Sequence, residues 1–367
     1  MKNVFGNNLT LTLFGESHGT AIGGVLDGFP AGVRIDEDLI ESMMSKRRAA
    51  GTISTGRQEA DQPQFLSGLK NGISEGTPIA FIIANKTQRS NDYNALAGIA
   101  RPGHADYTGH IHYLGFEDAS GGGHFSGRLT AVMVAAGALC MCMLKERGIE
   151  IATHIASLHG IQDRKFNEDN LDAEAAHLNN RRFAVLDESK EEVMIDQIEQ
   201  ARRNLDSVGG TLETVILHLP AGIGDPEFDS LESQLAHAMF SIPAIKGIEF
   251  GKGFAFADMT GATANDPFEI RDGKIVTTTN NNGGINGGIS NGMPVIFRTV
   301  VKPTPSIAQK QKTVSFEEGK NVEVEIHGRH DPAIIHRARV VQDAMSALVV
   351  ADALMTRFGQ IDWRKEG

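Results

Sequence analysis

Four short segments of the chain combine glycine with histidine; three of them add an acidic residue and two an arginine. They are Gly-Glu-Ser-His-Gly at 15–19, Arg-Pro-Gly-His-Ala-Asp at 101–106, Gly-Gly-Gly-His at 121–124 and Gly-Arg-His-Asp-Pro at 328–332. Arginine, histidine and aspartate cost free energy to bury, and none of them packs an apolar core. Histidine titrates near neutral pH, arginine binds carboxylates and phosphates, and glycine lets the backbone approach a ligand closely. Together the segments predict an active site for an anionic ligand, with proton transfer at its centre.

The glycine run at 121–123 stands directly before an apolar stretch, 128–147, that is typical of a buried helix. Backbone amides without side chains in the way, placed before a helix, are suited to binding an anion. The run lacks the Lys-Ser/Thr end of a P-loop and the spacing of a dinucleotide-binding motif. A second glycine-rich stretch at 283–288 and the segment 302–306 (Lys-Pro-Thr-Pro-Ser) add another backbone-rich, cationic surface.

Two alternatives to an anion-binding active site remain open at this point. His110 and His112 would share one face of a strand, and Glu117 and Asp118 follow them, which is compatible with a metal-dependent hydrolase. The arginine-rich segments favour an anion over a metal, so no metal site is predicted. The other alternative is a non-catalytic protein that binds an anion. A Ser-His-Asp hydrolase is disfavoured because Ser17 and His18 are adjacent, and adjacent residues rarely form a nucleophile–base hydrogen bond.

The bulk composition excludes several partners. The chain has 367 residues and a net charge of −11, which argues against a nucleic-acid or membrane-surface partner held by general electrostatics. An anionic ligand must therefore enter a local basic pocket. The first twenty residues lack the pattern of a signal peptide, and the apolar run 131–144 is too short to span a bilayer. Cys140 and Cys142 read as buried thiols, and the location is expected to be cytoplasmic.

The elements that position these segments follow from hydrophobic periodicity. The pattern predicts strands at 8–14, 22–26, 79–84, 215–219 and near 294–301, and helices at 36–48, 128–147, 188–205, 231–240 and 340–358. Asp36 is expected to cap the first of these helices. Strands and helices alternate without a strict βαβ period, so we expect an α+β fold or a layered sandwich instead of a doubly wound sheet. No linker divides the chain, which predicts a single large domain over 1–367.

The segments taken together resemble the chorismate synthase family. Residues 15–19 through Asp27-Gly28-Phe29-Pro30 are similar to the first signature of that family, and residues 88–93 with 101–106 to its second conserved region. The segments 287–290, 302–304 and 328–332 follow in the family's order, so the resemblance runs from about residue 8 to about residue 358. It implies a layered β-α-β sandwich and a homotetramer built as a dimer of dimers.

The resemblance also implies an activity. The family converts 5-enolpyruvylshikimate-3-phosphate to chorismate and phosphate by 1,4-elimination, and it requires reduced FMN although the reaction has no net redox change. NADPH is a possible reductant, since members differ in whether they reduce their own flavin. By the same resemblance, His18 keeps the reduced flavin in its electron-rich form, and His104 protonates the departing phosphate. Asp331 works with flavin N5 in removing the ring proton of the substrate.

Further site residues are implied by matching positions. Anion clamps, which hold the substrate or NADP, are expected at Arg47, Arg48, Arg101 and Arg329, with Arg57 as a weaker candidate. Flavin contacts are expected at His124, Phe125, Ser126, Arg128, Pro243, Ala244, Gly287, Lys302, Pro303, Thr304, Pro305, Ser306 and Arg329. Arg128 is also a weaker candidate for a clamp, and His330 is left with a supporting hydrogen bond.

The chain departs from the family pattern at several positions. His124-Phe125 stands where Arg-Ser is common, Ala333 where cysteine is common and Asp343 where glutamate is common. Ala49-Ala50 follows the arginine pair, where a proline is usual. We interpret these differences as tuning of cofactor binding. A protein that binds flavin without catalysis stays open as an alternative.

Overall fold

The computed structural model describes residues 3–49, 51, 53–54, 60–86, 98–326 and 331–364. The α-helices in this part are α1 (Glu37–Arg47), α2 (Asp106–His112), α3 (Thr130–Lys145), α4 (Leu171–Asn179), α5 (Ser189–Arg203), α6 (Leu231–Phe240), α7 (Gly261–Ala264) and α8 (Ile335–Asp362). Short 3-10 helices are Ser120–Phe125, Gly127–Leu129, Glu168–Asn170, Glu227–Asp229 and Gly253–Asp258.

Most of the strands belong to two antiparallel sheets. The first has five strands in the order β1-β2-β3-β7-β4, and the second has five in the order β11-β16-β10-β8-β9. The strands of the first sheet are β1 (Val4–Phe5), β2 (Thr10–Gly15), β3 (Ala21–Asp27), β4 (Gln64–Phe65) and β7 (Ile79–Ala84). Those of the second sheet are β8 (Glu150–Leu158), β9 (Ile161–Gln162), β10 (Gly210–Leu217), β11 (Ile245–Phe250) and β16 (Val295–Val301).

Four two-stranded hairpins complete the described strands. They are β5 (Leu69–Lys70) with β6 (Ile73–Ser74), β12 (Phe268–Arg271) with β13 (Lys274–Thr277), β14 (Ile285–Asn286) with β15 (Ile289–Ser290), and β17 (Gln311–Ser315) with β18 (Lys320–Val324).

A layer of helices lies between the two sheets. Helix α3 packs against β3 and β7 of the first sheet, α8 packs against β8 and β10 of the second, and α1 contacts both helices. Helix α3 is apolar on nearly all sides, which suits its enclosed position between the sheets. One continuous hydrophobic core joins residues of both sheets to these helices. The order sheet–helix–sheet confirms the predicted α+β fold with a layered β-α-β arrangement.

Helix boundaries follow local signals where those signals exist. Asp36 caps α1, since its Oδ1 accepts a hydrogen bond from the backbone N–H of Leu39 at 3.1 Å, as predicted. Helix α8 begins at Ile335, earlier than the predicted residue 340, so His336 and Arg337 belong to its first turn. His110 and His112 lie on α2 and not on a strand, so the expected shared face is wrong.

The expectation that the apolar run is too short to span a bilayer needs a correction. Residues Gly127–Lys145 form a segment of 19 residues that is long and apolar enough to cross a membrane by length and composition. However, 83% of its most apolar window is buried inside the protein, which is typical of a core helix. Cys140 and Cys142 lie in this buried segment as free thiols, as predicted.

A buried chain of charges crosses the second sheet. His154 Nδ1 lies 2.7 Å from Asp163 Oδ2, and its Nε2 lies 3.1 Å from Glu213 Oε2. Arg298 then joins Glu213 to Glu249 on the neighbouring strand. Burial lowers the pKa of His154, but the hydrogen bonds to Asp163 and Glu213 outweigh it, so the pKa lies above its ordinary value. These contacts favour a protonated His154 inside the folded protein.

Candidate active site

A cavity of about 290 Å³ lies where the glycine run, the end of α1 and the start of α8 meet. Arginines and a few carboxylates form its polar wall, and Ile242, Pro243 and Val341 form part of its apolar wall. The predicted site residues that line it are Arg47, Arg48, Ser126, Arg128, Pro243 and Asp331. The structure thus brings together residues from widely separated segments of the sequence.

A buried carboxylate joins two of the arginines. Asp61 Oδ2 accepts a hydrogen bond from Arg47 Nη1 at 2.6 Å, and Asp61 Oδ1 accepts one from Arg128 Nη1. All three side chains are at least 94% buried. Burial raises the pKa of Asp61, but the charges of Arg47 and Arg128 outweigh this effect and hold the pKa below its ordinary value. The carboxylate is therefore ionised at neutral pH and fixes both guanidinium groups.

Helix α1 ends at the two arginines Arg47 and Arg48. Other cationic side chains donate hydrogen bonds to its last carbonyl groups. Arg337 Nε donates to the carbonyl of Arg47 at 2.8 Å, and Arg182 donates to the carbonyls of Ser45 and Arg48. Burial lowers the pKa of Arg47 to about 10; the carboxylate of Asp61 raises it, while Arg337 and Arg128 lower it further. Arg47 thus stays charged at neutral pH.

Arg128 connects the cavity to the Gly15–Gly19 turn through one asparagine. Its Nε donates to Asn85 Oδ1 at 2.9 Å, and the amide nitrogen of Asn85 donates to the carbonyls of Glu16 and Gly19. Asn85 directly follows strand β7, an inner strand of the first sheet, so the sheet fixes the position of the turn that carries His18.

Asp331 is held by a neighbour from the first turn of α8. Arg337 Nη1 donates to Asp331 Oδ2 at 2.8 Å, and both residues line the cavity. Arg337 therefore contacts both the predicted proton acceptor and the backbone of a predicted clamp. Next to it, burial lowers the pKa of His336 to about 3, with the charges of Arg337 and Arg182 adding to the shift. His336 is therefore neutral. Its Nε2 shares a hydrogen bond with Oγ of Ser54, at a distance of 2.9 Å.

The glycine run lies between the two predicted catalytic histidines. Gly121, Gly122 and Gly123 all have positive φ, a conformation that glycine adopts without strain. A Cβ atom on Gly121 would lie 2.0 Å from Cε1 of His18, and one on Gly122 would lie 3.4 Å from Cε1 of His104. The run therefore brings the two imidazoles to one backbone segment, and only glycine at 121 leaves room for His18.

His104 lines a smaller neighbouring cavity of about 130 Å³ together with Arg101. Arg101 forms two hydrogen bonds to Asp106, from Nε at 2.8 Å and from Nη2 at 2.6 Å, and Asp106 Oδ1 lies 3.2 Å from Nδ1 of His104. Burial raises the pKa of Asp106, but the hydrogen bonds from Arg101 and His104 outweigh it and hold the pKa well below the usual range. Gly121 lines the first cavity and Gly122 the second, so the glycine run separates the two.

Three of the described residues expected to contact flavin line the main cavity: Ser126, Arg128 and Pro243. His124 Nδ1 lies 3.0 Å from the carbonyl oxygen of Gly15, and Phe125 lines the smaller cavity. Ala244 follows Pro243 with a positive φ of 76°, and its carbonyl accepts a hydrogen bond from the backbone N–H of Lys302.

The segment 302–306 packs against the loop that carries His104. Lys302 Nζ donates to the carbonyl of Gly103 at 2.7 Å, and a Cβ on Gly103 would lie 3.1 Å from Cβ of Pro305. Gly287 lies apart from Pro243, because its hairpin packs near the N-terminus of α6, while Pro243 follows the C-terminus of that helix. The ten residues of α6 separate the two positions by about 15 Å.

The chemistry of this donor set fits FMN. Thr304 Oγ1 is buried and has no hydrogen-bond partner among the described residues, and the ammonium group of Lys302 lies on the same segment. A hydroxyl and a cation on one segment are suited to phosphate and to the polar edge of a flavin ring. Ser126, Pro243 and the 302–306 segment are the described residues that would hold the group.

Sequence reasoning missed three polar residues of the main cavity: Asp61, Thr130 and Arg337. Thr130 accepts a hydrogen bond from Nε of Arg47 at 3.1 Å. Arg337 stands close behind the 328–332 segment, so its proximity was a usable signal, whereas Asp61 has no local pattern around it. Arg57, Arg329 and His330 lie outside the described residues.

Within the described part of the chain, no group of three or more His, Cys, Asp or Glu residues is arranged to hold a metal, and His110 Nδ1 instead contacts Glu117 at 3.1 Å.

The fold and the cavity define a layered α+β protein with a preorganised arginine–aspartate cluster suited to a small polyanion. The family model of chorismate synthase matches residues 9–355, and the chain belongs to this family. It is 43% identical over 352 residues to chorismate synthase of Pyrococcus abyssi, covering 96% of this chain and 97% of the relative. It is 46% identical over 356 residues to the enzyme of Lachnoclostridium phytofermentans, covering 96% and 95%.

A solved structure gives the same result. The chain superposes on a crystal structure of chorismate synthase with a TM-score of 0.74 and 28% sequence identity, covering 96% of this chain and 94% of the other. The resemblance stated from the sequence motifs is thus confirmed. Family membership supports an enzymatic role in the shikimate pathway, which leads to the aromatic amino acids.

Proposed function

We propose that the protein converts 5-enolpyruvylshikimate-3-phosphate to chorismate and phosphate by 1,4-elimination, with reduced FMN as the cofactor. The observation that carries the proposal is the convergence of Arg47, Arg128 and Asp331 on one cavity beside the glycine run. The substrate has two carboxylates and a phosphate, and guanidinium groups bind such anions through charge-assisted hydrogen bonds. Reduced FMN, when bound, supplies the electron-rich partner that the elimination requires.

The chain's own residues then have separate tasks. Asp331, held by Arg337 at 2.8 Å, serves removal of the ring proton of the substrate. His104, held between Arg101 and Asp106, donates a proton to the departing phosphate. His18, packed on Gly121, holds a proton near the flavin ring. Arg47, Arg48 and Arg128 orient the substrate.

The activity test uses purified protein under anaerobic conditions. With photoreduced FMN and the enolpyruvyl substrate, we expect equal amounts of chorismate, followed by absorbance, and inorganic phosphate; oxidised FMN alone should give neither. His18→Asn should abolish turnover while flavin binding persists, and His218→Asn, at an exposed histidine paired with Asp172, is the matched control. Absence of phosphate release with fully reduced flavin would contradict the proposal, as would full activity of the His18 variant.

Three further properties belong to the same proposal. NADPH is a candidate source of electrons, and NADPH oxidation by the purified protein with FMN would decide this. A homotetramer is supported by exposed apolar side chains on the β12–β13 hairpin, where Ile270 is 78% and Phe268 62% exposed. Sedimentation or light scattering measures the assembly directly. A cytoplasmic location is supported by the two buried free thiols.

A further inference from the structure

A second cavity, of about 460 Å³, lies on the opposite side of α1 and α8 from the candidate active site. Its size falls within the range of small-molecule sites, roughly 300–1,000 Å³. Residues of α1, α3, α8, the start of β8 and the end of α4 form its walls. None of these wall residues has a role in the proposed reaction.

Helical spacing explains how two helices face two cavities. On α1, Leu39, Met43 and Lys46 recur at one helical face and line the second cavity, while Arg47 points to the first. On α8, Arg339 and Asp343 face the second cavity, whereas Arg337, Ala338 and Val341 face the first. The two cavities therefore share helices but no lining residue.

The cavity contains a cation, Lys46, that makes no direct ion pair among the described residues; the nearby carboxylate of Asp343 is paired with Arg339. The ammonium group of Lys46 donates to the carbonyl of Asn179, and it forms no ion pair with any described residue. An ammonium group carries three donors, so two of them remain for another acceptor. Burial lowers the pKa of Lys46 to about 8, and the nearby charge of Arg339 adds to the shift while that of Asp343 opposes it. A carboxylate bound here would relieve this unfavourable burial.

The other walls of the cavity have complementary properties. Leu39, Met43 and Met141 provide apolar surface. At the rim, Asp38 and Glu150 are exposed carboxylates that form no ion pair with described residues. The cavity thus offers a cation inside, carboxylates at the rim and apolar surface between them.

We propose that this cavity binds a small α-amino acid with an apolar side chain. Its carboxylate binds the ammonium group of Lys46, its ammonium group faces Asp38 and Glu150, and its side chain packs on Leu39, Met43 and Met141. A zwitterion satisfies both kinds of charge at once, which neither a simple anion nor an amine can do.

Isothermal titration calorimetry of the full chain with L-leucine and L-phenylalanine tests the site. We expect saturable binding of at least one of them. Phenethylamine, which lacks the carboxylate, and 3-phenylpropionate, which lacks the ammonium group, should each bind about tenfold more weakly or worse than phenylalanine. Because the titration needs neither flavin nor substrate, its failure is distinguishable from failure of the proposed reaction.

Two variants locate the binding. Lys46→Met should weaken it about tenfold or more, since a charge-assisted hydrogen bond is lost, whereas Lys165→Met, at an exposed loop lysine, should leave it unchanged. Ser42→Phe, which fills the cavity from α1, provides a second route if Lys46→Met fails to fold. Absence of saturable binding at millimolar amino acid would overturn the proposal. Unchanged affinity in a folded Lys46 or Ser42 variant would overturn it as well.

Discussion

Replacing Asp61 by asparagine tests whether one carboxylate organises the candidate active site. The substitution keeps the size of the side chain and removes the negative charge that Arg47 and Arg128 share. At an effective dielectric constant of about 20, two unit charges about 4 Å apart interact by roughly 4 kcal/mol, and part of this is offset by desolvation. Loss of one partner of a buried ion pair typically destabilises a protein by about 3–5 kcal/mol, because the remaining charge has no counterion.

We therefore expect Asp61→Asn to lower the free energy of unfolding by about 3–5 kcal/mol. Urea denaturation followed by fluorescence of Trp363, the single and fully buried tryptophan, measures this difference. The control is Asp172→Asn, at an exposed carboxylate paired with His218, for which a change of at most about 1 kcal/mol is expected.

A second readout separates an anion site from a purely structural ion pair. With Asp61 neutralised, Arg47 and Arg128 should bind inorganic phosphate more tightly, so added phosphate should restore more stability in the variant than in the unmodified protein. If the Asp61 variant unfolds within about 1 kcal/mol of the parent, the buried-pair reasoning is wrong. If it is destabilised but phosphate has equal effects on both proteins, the arginines do not form an anion site.

The remaining predictions concern a buried histidine and the glycine run. Because the folded pKa of His154 is raised, its stabilising contribution is complete below the unfolded value of about 6.5 and is lost as pH rises through the folded pKa. His154→Gln should thus have a lower free energy of unfolding than the parent near pH 6. Its stability should also lack the decline that the parent shows between neutral and alkaline pH. Urea midpoints that run parallel in the two proteins across this range would contradict the assignment. Gly121→Ala places a Cβ 2.0 Å from the ring of His18, so it should reduce turnover strongly. Gly148→Ala has a similar positive φ and open space around it, so it should share the backbone strain but keep full activity; equal activity of the two variants would refute the steric argument.

Local patterns in the sequence predicted those parts of the fold that local interactions determine. The apolar stretch 128–147 and the cap at Asp36 predicted two helices whose ends lie within two residues of those in the structure. The start of α8 was predicted too late because His336 and Arg337 are polar and interrupt the apolar pattern. Both side chains are nevertheless used inside the protein, His336 as a buried neutral group and Arg337 as a ligand of Asp331.

The site was predictable only where its residues carry their own signal. Glycine flanked by histidine marked the 15–19 and 121–124 segments, and the structure brings them into contact through the backbone N–H of Ser17 and the carbonyl of Gly123. Asp61 carries no such signal, because its partners lie 14 and 67 residues away and an isolated aspartate is usually a surface residue. Its role depends on long-range packing, which one sequence does not reveal.

The arrangement of charges explains how an acidic protein can hold a polyanion. Four arginines and two carboxylates line the main cavity, so the local charge is positive although the chain carries −11. The carboxylates do not compete fully with a ligand, because a guanidinium group has five N–H donors and Asp61 takes only one from Arg47. The same carboxylates restrict the rotamers of Arg47, Arg128 and Arg337 before any ligand arrives. The conformational entropy of these long side chains is therefore lost during folding and not on binding. Less of the interaction energy with the anion is then offset when it binds.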